Sequence, residues 1–198
     1  MSEFQAYLQL GFDHITDSKG YDHILFIMAL CSVYTLADWK KVIILVTAFT
    51  IGHSITLALA TLGILKVNAD VIELLIPITI LFTAILNFFY RSPRDVKKLA
   101  FSSRYPLALF FGLIHGMGFS NYLRSLLGKE ADIVTPLLGF NLGLEFGQLI
   151  IVFIILSIAF AFIELLRVQK ITWINIVSGI IVGMSLSLII NNPLFQNS

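Results

Sequence analysis

The chain has 198 residues, of which 58% are hydrophobic and 13% are charged, and its formal net charge is +1. Soluble domains average about 45–50% apolar and about 25% charged residues, so this composition indicates an integral membrane protein. The near-neutral charge argues against a nucleic-acid partner, and the single cysteine excludes an intramolecular disulfide and a thiolate metal cluster.

The apolar residues come in long blocks, which favours an all-α, polytopic membrane helix bundle over an outer-membrane barrel. Residues 1–20 predict a short interfacial helix, because this segment is too short and too polar to span a bilayer. About six transmembrane spans follow in a single domain covering 1–198, at residues 21–38, 41–65, 71–90, 105–124, 133–166 and 172–190. The polar, basic residues 91–104 connect the third span to the fourth.

The lysines and arginines of the connecting segments predict the orientation of the bundle. With the N-terminus outside, the inner connections hold Lys40, Lys41, Arg91, Arg94, Lys97, Lys98, Arg104, Arg167 and Lys170. The outer segments hold only Lys19, Lys66, Arg124 and Lys129. The excess of positive charge on one side predicts that both termini lie on the outer face of the membrane.

The four histidines lie in or beside apolar segments, and ionisable groups at membrane depth are expensive and usually functional. At 1.5 Å per residue, the candidates on the predicted helices fall between the midplane and the outer surface. This shared depth predicts a metal site. The candidate ligands are His23, His53, His115, Asp22 and Glu145, with His14 and Glu73 as secondary candidates.

Neutral imidazoles and carboxylates suit a divalent transition metal, and we expect nickel or zinc. Side chains that would orient the ligands are Asn141, Gln148, Thr50 and Thr56. For any one residue taken singly, a simple hydrogen bond between helices is an equal alternative. Asp22 could instead cap its helix. Glu73, in the first turn of the third span, could instead interact with the dipole of that helix.

Glycines at four-residue spacing predict faces where another helix packs closely. They occur on the fourth span at Gly112 and Gly116, on the fifth at Gly139, Gly143 and Gly147, and on the sixth at Gly179 and Gly183. On the fifth span the glycines lie roughly opposite Asn141, Glu145 and Gln148. One face of that helix is therefore expected to pack and the other to present polar groups.

Four blocks of this sequence, residues 20–26, 47–57, 111–119 and 139–148, resemble the HupE/UreJ family. Its members are small polytopic bacterial proteins described as nickel permeases and as accessory proteins of hydrogenase and urease. The resemblance covers nearly the whole chain. It implies a metal-handling role, metal coordination by His14, Asp22 and His23, and metalloenzyme maturation proteins as partners.

Two features make the sequence more similar to a second branch of that family. In the permease branch a histidine precedes the Asp-His pair more closely than His14 precedes Asp22 here. That branch also has a second histidine-rich block, whereas residues 111–119 hold only His115.

Three functions follow from these observations. The first is a permease for a divalent ion such as nickel or cobalt, although the inner halves of the predicted helices offer no visible polar path. The second is an intramembrane zinc hydrolase or acyl transferase that acts on a lipid or a membrane-embedded substrate, with Glu145 or Asp22 as general base. No zincin motif or nucleophile elbow supports it. The third is an assembly partner whose polar residues only join helices.

Overall fold

The computed structural model describes residues 2–18, 20–66, 68–90, 92, 104–127 and 133–196. Within these ranges the protein is helical and contains no strand. The helices are α1 Glu3–Thr16, α2 Asp22–Cys31, α3 Trp39–Thr61, α4 Ala69–Asn87, α5 Arg104–Gly118, α6 Ser120–Leu127, α7 Val134–Phe160, α8 Lys170–Ile190 and α9 Pro193–Gln196. Of the predicted connection 91–104, residues 91 and 93–103 lie outside the described residues, as do Lys19 and Lys129 of the loop charges.

Four helical segments are long and apolar enough to cross a membrane, which confirms the prediction of an all-α membrane bundle. A 3₁₀ turn, Leu36–Asp38, leads into α3, and a π-helical turn, Ala161–Leu165, extends α7. The four segments are Leu36–Thr61, Ala69–Asn87, Val134–Leu165 and Lys170–Ile190.

The first predicted span, 21–38, differs from the structure. Its helix α2 ends at Cys31 after ten residues, a rise of about 15 Å against a bilayer core of roughly 30 Å. The residues that end α2 at Cys31 lie elsewhere in the chain. Asn87 Nδ2 donates to the Ala29 carbonyl at 3.0 Å and Arg104 Nη1 donates to the Leu30 carbonyl at 3.2 Å. These two carbonyls of the last turn are therefore satisfied without a further turn of helix.

The fourth predicted span, 105–124, is also broken. Helix α5 stops at Gly118 after 15 residues, and the chain continues as the short helix α6. The Ser120 hydroxyl donates to the Met117 carbonyl at 2.7 Å and so occupies a carbonyl of the last turn. Glycine at 116 and 118 weakens the helix at this point.

The glycine face predicted on the fifth span packs against α1. Gly143 lies so close to the Leu8 carbonyl of α1 that a Cβ on it would collide with that backbone. Gly139 meets Phe4, and Gly147 meets Ile15, so α1 and α7 run in the same direction. The predicted N-terminal helix is thus present, and it lies along the first half of α7.

Helices α3 and α5 make a second close contact in the same direction. Gly112 abuts the Phe49 carbonyl and Gly116 abuts the His53 carbonyl, which leaves no room for a side chain at either glycine. The glycines of the sixth span behave differently. Within the described residues nothing lies near enough to Gly179 or Gly183 to touch an added Cβ, so the helix contact predicted there is wrong for the single chain.

The remaining contacts give the directions of the other helices. His53 of α3 stacks on Phe140 of α7, while Thr47 bonds Glu145, so α3 and α7 are antiparallel. His115 of α5 bonds Thr79 of α4. At the other end of these two helices, Arg104 bonds Asn87, so α4 and α5 are also antiparallel.

Helix α2 runs in the direction of α4, because Asp22 shares a cavity with Glu73 while the Ala29 carbonyl reaches Asn87. It follows that α1 and α2 are consecutive helices of one direction, separated by the break at residues 17–21. We call the end where α4 begins the histidine end and the end where it stops the arginine end.

Candidate metal centre

Four helices each bring one histidine to the same place near the histidine end. His14 lies in the last turn of α1, His23 at the start of α2, His53 inside α3 and His115 in the last turn of α5. The ring of His23 is central. Its centroid lies 4.7 Å from that of His14, 5.1 Å from that of His115 and 6.1 Å from that of His53.

Two overlapping sets of side chains have the geometry to hold a metal ion. One set is His14, His23 and His53, and the other is Asp22, His23 and His115. In each set the ligand atoms lie within 4.8 Å of one another. Ligands about 2.0–2.1 Å from a tetrahedral ion are about 3.3 Å apart, so small side-chain rotations would close either set. His23 belongs to both.

The imidazole nitrogens of this cluster include five that are buried and have no hydrogen-bond partner among the described residues. They are His14 Nε2, His23 Nε2, His53 Nδ1, His53 Nε2 and His115 Nδ1. Buried polar atoms are nearly always bonded, so a group of unpartnered ones requires an explanation. A metal ion accepts lone pairs from several imidazoles at once, and the donor set therefore fits a metal.

The Asp22 side chain determines which nitrogen of His23 is available. Asp22 Oδ1 lies 3.1 Å from His23 Nδ1, and an ionised carboxylate can only accept. In the neutral ring Nδ1 therefore carries the hydrogen, and Nε2 keeps its lone pair. A carboxylate that holds a ligating imidazole in this way is the usual support of a metal-bound histidine.

Thr79 of α4 orients His115 in the same manner. The Thr79 hydroxyl donates to the Ile76 carbonyl at 2.7 Å, so it accepts at 3.1 Å from His115 Nε2. His115 Nδ1 keeps its lone pair, and it is buried with no hydrogen-bond partner among the described residues. The sequence analysis did not identify Thr79, because nothing near it in the chain points to a histidine 36 residues away.

Phenylalanine rings form the wall around the histidines. Phe119 lies 4.1 Å from His14 between ring centroids, Phe140 stacks on His53 at 6.2 Å, and Phe26 and Phe49 lie 5.1 Å and 5.2 Å from His115. Such a wall strengthens metal–ligand electrostatics, since it keeps water from the ring faces.

A cavity of about 220 Å³ lies against the cluster and is lined by His14, His23 and His115 together with three carboxylates, Asp17, Asp22 and Glu73. Two wider cavities adjoin it. One, of about 420 Å³, shares Asp22 and Glu73, and the other, of about 500 Å³, shares His14 and Asp17 and adds Asp13. The described linings of all three include no lysine or arginine. A cavity lined by one sign of charge concentrates ions of the opposite sign, here cations.

Of the predicted ligands, the structure brings His14, His23, His53, His115 and Asp22 together. Glu145 is in neither set. Its Oε1 accepts a hydrogen bond from the Thr47 hydroxyl at 2.6 Å, and its Oε2 is buried with no partner among the described residues. Glu73 also stays outside both sets, and it lines the cavity as an exposed residue.

The alternative roles at helix ends that the sequence offers for Asp22 and Glu73 do not match the structure in detail. Helix α4 begins at Ala69, so its first-turn acid is Asp70, and Glu73 lies in the second turn. Asp22 is the first residue of α2, and the N-cap is Tyr21, whose side chain makes no capping bond.

The four side chains expected to orient the ligands have other partners. Thr50 donates to Gln148 Oε1 at 2.7 Å, Asn141 donates to the Leu137 carbonyl at 2.8 Å, and Thr56 bonds the Gly52 carbonyl at 3.2 Å. In the described part of the chain none of them hydrogen-bonds a histidine ring, although the Thr56 hydroxyl also reaches the His53 backbone carbonyl at 3.3 Å. Asp22 and Thr79 do so instead.

A second buried polar group, which we call the arginine cluster, lies at the other end of the bundle. Arg104 is 4% exposed and donates to Tyr90 Oη, the Leu30 carbonyl and Asn87 Oδ1. Asn87 in turn donates to the Ala29 carbonyl and to Ser32 Oγ. The described part of the chain places no carboxylate against Arg104, so among these residues its buried positive charge has no counter-charge.

Comparison with known proteins gives one match, which is to a family model. No curated protein and no solved structure matches the chain significantly. A family model described as HupE / UreJ protein matches residues 1–192, nearly the whole chain. The resemblance found in the four sequence blocks is thereby confirmed, and the protein belongs to the HupE/UreJ family.

Proposed function

We propose that the protein is a permease that carries a divalent transition-metal ion, Ni²⁺ or Co²⁺, across the bacterial inner membrane. The observation that carries this proposal is the set of five buried, unpartnered imidazole nitrogens from four helices, beside a cavity lined by carboxylates. Membership of the HupE/UreJ family supports the same role.

The donor atoms select the class of ion. Imidazole nitrogens favour Ni²⁺, Co²⁺ and Zn²⁺, whereas Mg²⁺ and Ca²⁺ require mostly oxygen ligands. Asp17, Asp22 and Glu73 draw cations into the cavity, and the histidines then retain only those that bind nitrogen. Zn²⁺ competes with the cargo in this arrangement, so selectivity against it depends on coordination geometry.

The shared ligand His23 provides a way to move the ion without releasing it. An ion held by His14, His23 and His53 can exchange two of these ligands for Asp22 and His115 while His23 stays in the coordination sphere. The first set adjoins the open cavity beside α1, and the second adjoins Thr79 on α4. This exchange of ligands therefore moves the ion toward α4.

The proposed topology has six crossings with the histidine end outside. Helix α2 is only half as long as a bilayer core is thick, and α1 precedes it in the same direction, so the two together form a broken first crossing. Transporters commonly place their ion sites at such breaks. Helices α3, α4, α5, α7 and α8 supply the other five, and the excess of lysine and arginine at the arginine end sets the orientation.

The intramembrane zinc enzyme receives less support from the same geometry. Glu145 bonds Thr47 and lies in neither ligand set. The other candidate base, Asp22, already accepts a hydrogen bond from His23. Among the described residues the structure therefore singles out no carboxylate as the base for water activation, although Asp17 and Glu73 also line the adjoining cavity.

The test combines metal analysis with transport. Purified protein loaded with Ni²⁺ should retain about one ion per chain, and proteoliposomes that contain it should take up Ni²⁺ reported by a trapped metal-sensitive dye. Asp22→Asn should weaken Ni²⁺ binding roughly tenfold, since it removes the carboxylate that orients His23. Asp70→Asn, in the first turn of α4, is the matched control and should bind as the unmodified protein does.

A protein that binds no transition metal would refute the proposal entirely. A protein that binds metal but transports none would refute the permease while leaving the site intact. If that metal were tightly held zinc, the result would favour the enzyme.

A further inference from the structure

Three buried polar side chains on α4 lie in a row that leads away from the metal centre. Thr79, Thr83 and Asn87 are spaced four residues apart, so they share one face of the helix over about 12 Å. Their exposed fractions are 5%, 2% and 0%. The row starts at His115, which bonds Thr79, and ends at Arg104, which bonds Asn87.

A cavity accompanies the far half of this row. It has a volume of about 230 Å³ and is lined by Thr83 and Arg104 together with Leu30, Leu86, Phe89, Tyr90 and Leu107. The cavity against the histidines touches the start of the row, because His115 lines it. The row therefore extends from the cavity beside His115 to the cavity lined by Thr83, with Thr79 between them.

The Thr83 hydroxyl oxygen of the row is available to act as a ligand among the described residues. Thr79 donates its hydrogen to the Ile76 carbonyl, and Thr83 donates its own to the Thr79 carbonyl at 2.8 Å. These bonds turn the hydroxyl hydrogens back onto the helix. Within the described residues no donor bonds Thr83 Oγ1, so its lone pairs are available to a cation or to the water around one.

Arg104 closes the row at its far end. Its guanidinium is held by Tyr90, Asn87 and the Leu30 carbonyl, and it lies 5.2 Å from the centroid of the Tyr90 ring. The described residues place no carboxylate beside this buried positive charge, which repels a divalent cation that approaches along the row. The side chain also lines the adjoining cavity, which provides a space into which it can move.

From these observations we infer that Thr79, Thr83 and Asn87 form the route by which the ion leaves the histidines, and that Arg104 is the gate at its arginine end. This inference rests on the proposed permease function and adds its exit route. The row also supplies a polar path through the inner half of the bundle, which is not visible in the sequence. It is formed by α4 alone, and Arg104 covers its end.

The route is tested in proteoliposomes with Ni²⁺ as the probe. Thr83→Val keeps the shape of the side chain and removes its oxygen, so it should lower the initial uptake rate about tenfold while Ni²⁺ binding in detergent stays unchanged. Thr61→Val is the matched control, since Thr61 is also a buried threonine in a long helix and its hydroxyl has no partner among the described residues. Its uptake should equal that of the unmodified protein.

The gate is tested with Arg104→Gln, which keeps hydrogen-bonding capacity and removes the charge. We expect the initial uptake rate to rise about tenfold. Equal uptake by Thr83→Val and Thr61→Val would overturn the route, and unchanged or lower uptake by a metal-binding Arg104→Gln protein would overturn the gate. If the unmodified protein itself takes up no Ni²⁺, the failure belongs to the proposed function.

Thiol labelling tests the proposed route independently of transport. In a Cys31→Ala background, Thr83→Cys introduces the sole thiol of the chain. A small water-soluble thiol reagent should modify it, because the route and its cavity admit water. The parent protein with Cys31 in place should stay unmodified, since Cys31 is 0% exposed. Lack of modification at position 83 would overturn the route even if the valine variant failed to fold.

Discussion

The protein buries two polar clusters at opposite ends of one bundle, and they differ in how their hydrogen bonds are satisfied. In the arginine cluster the three donors of Arg104 that we describe each have an acceptor, and Asn87 uses both of its amide atoms. In the histidine cluster five buried imidazole nitrogens have no partner among the described residues. A satisfied buried network stabilises a structure, whereas an unsatisfied one is costly until a ligand arrives.

The difference also separates the roles of the two ends. The arginine cluster ends α2 at Cys31 by capping its carbonyls, and it presents a positive charge. The histidine cluster presents lone pairs and lies beside carboxylates. Under the proposed function, one end receives the cation and the other opposes it. Each prediction below changes one side of this contrast, beginning with the largest effect.

Removal of Arg104 should give the largest loss of stability. Arg104→Met deletes the donors to the Leu30 carbonyl and to Asn87 Oδ1 and leaves both acceptors buried. We expect the metal-free protein to lose about 3 kcal/mol of its free energy of unfolding. Chemical denaturation in detergent, followed by circular dichroism, measures this value. Unchanged stability would show that the cluster does not hold the end of α2.

Removal of His23 should give the largest loss of metal affinity. His23→Ala takes away the one imidazole that both ligand sets share, so we expect Ni²⁺ binding to weaken at least about 100-fold by titration calorimetry. Ni²⁺ at 100 times its dissociation constant should stabilise the unmodified protein by about 2.7 kcal/mol and should no longer stabilise the variant. Retention of tight binding would place the ion elsewhere.

Replacement of His53 by leucine should separate stability from binding. His53 is 0% exposed and neither of its nitrogens has a partner among the described residues. His53→Leu therefore removes two unsatisfied polar atoms, and it should stabilise the metal-free protein by about 1 kcal/mol while weakening Ni²⁺ binding. This change in the stability of the metal-free protein is opposite in sign to the one expected for Arg104→Met. A destabilised His53→Leu protein would show that the histidine has a structural partner.

The smallest expected effect is on a side chain that acts through His115. Thr79→Val removes the acceptor for His115 Nε2 and should weaken Ni²⁺ binding about tenfold, whereas Thr79→Ser retains the hydroxyl and should restore it. The comparison by calorimetry distinguishes orientation of the ring from simple packing. Equal affinities for the valine and serine variants would exclude the orienting role.

Much of the bundle could be predicted from composition, because long apolar blocks have few structural solutions in a membrane. Helices α3, α4, α7 and α8 were predicted in this way, as was the glycine face that receives α1. The end of α2 could not be predicted. It depends on Asn87 and Arg104, which lie 58 and 74 residues from the carbonyls they satisfy.

The candidate site shows the same limit. Depth along a helix predicts that His23, His53 and His115 lie between the midplane and the outer surface, but depth carries no information about lateral position. Glu145 therefore appeared to be a ligand, although it faces Thr47. His14 received too little weight, since its approach to His23 depends on the break between α1 and α2. The row Thr79, Thr83 and Asn87 was readable as a helical polar stripe and was missed.

The most direct test of the account is the position of bound nickel. Crystals of the protein loaded with Ni²⁺ should give an anomalous-scattering peak at the nickel edge among His14, His23, His53 and His115. We predict this peak about 2.1 Å from His23 Nε2 and from an imidazole nitrogen of at least one other histidine. A peak at Glu145, or no peak among the four histidines, would contradict the central claim.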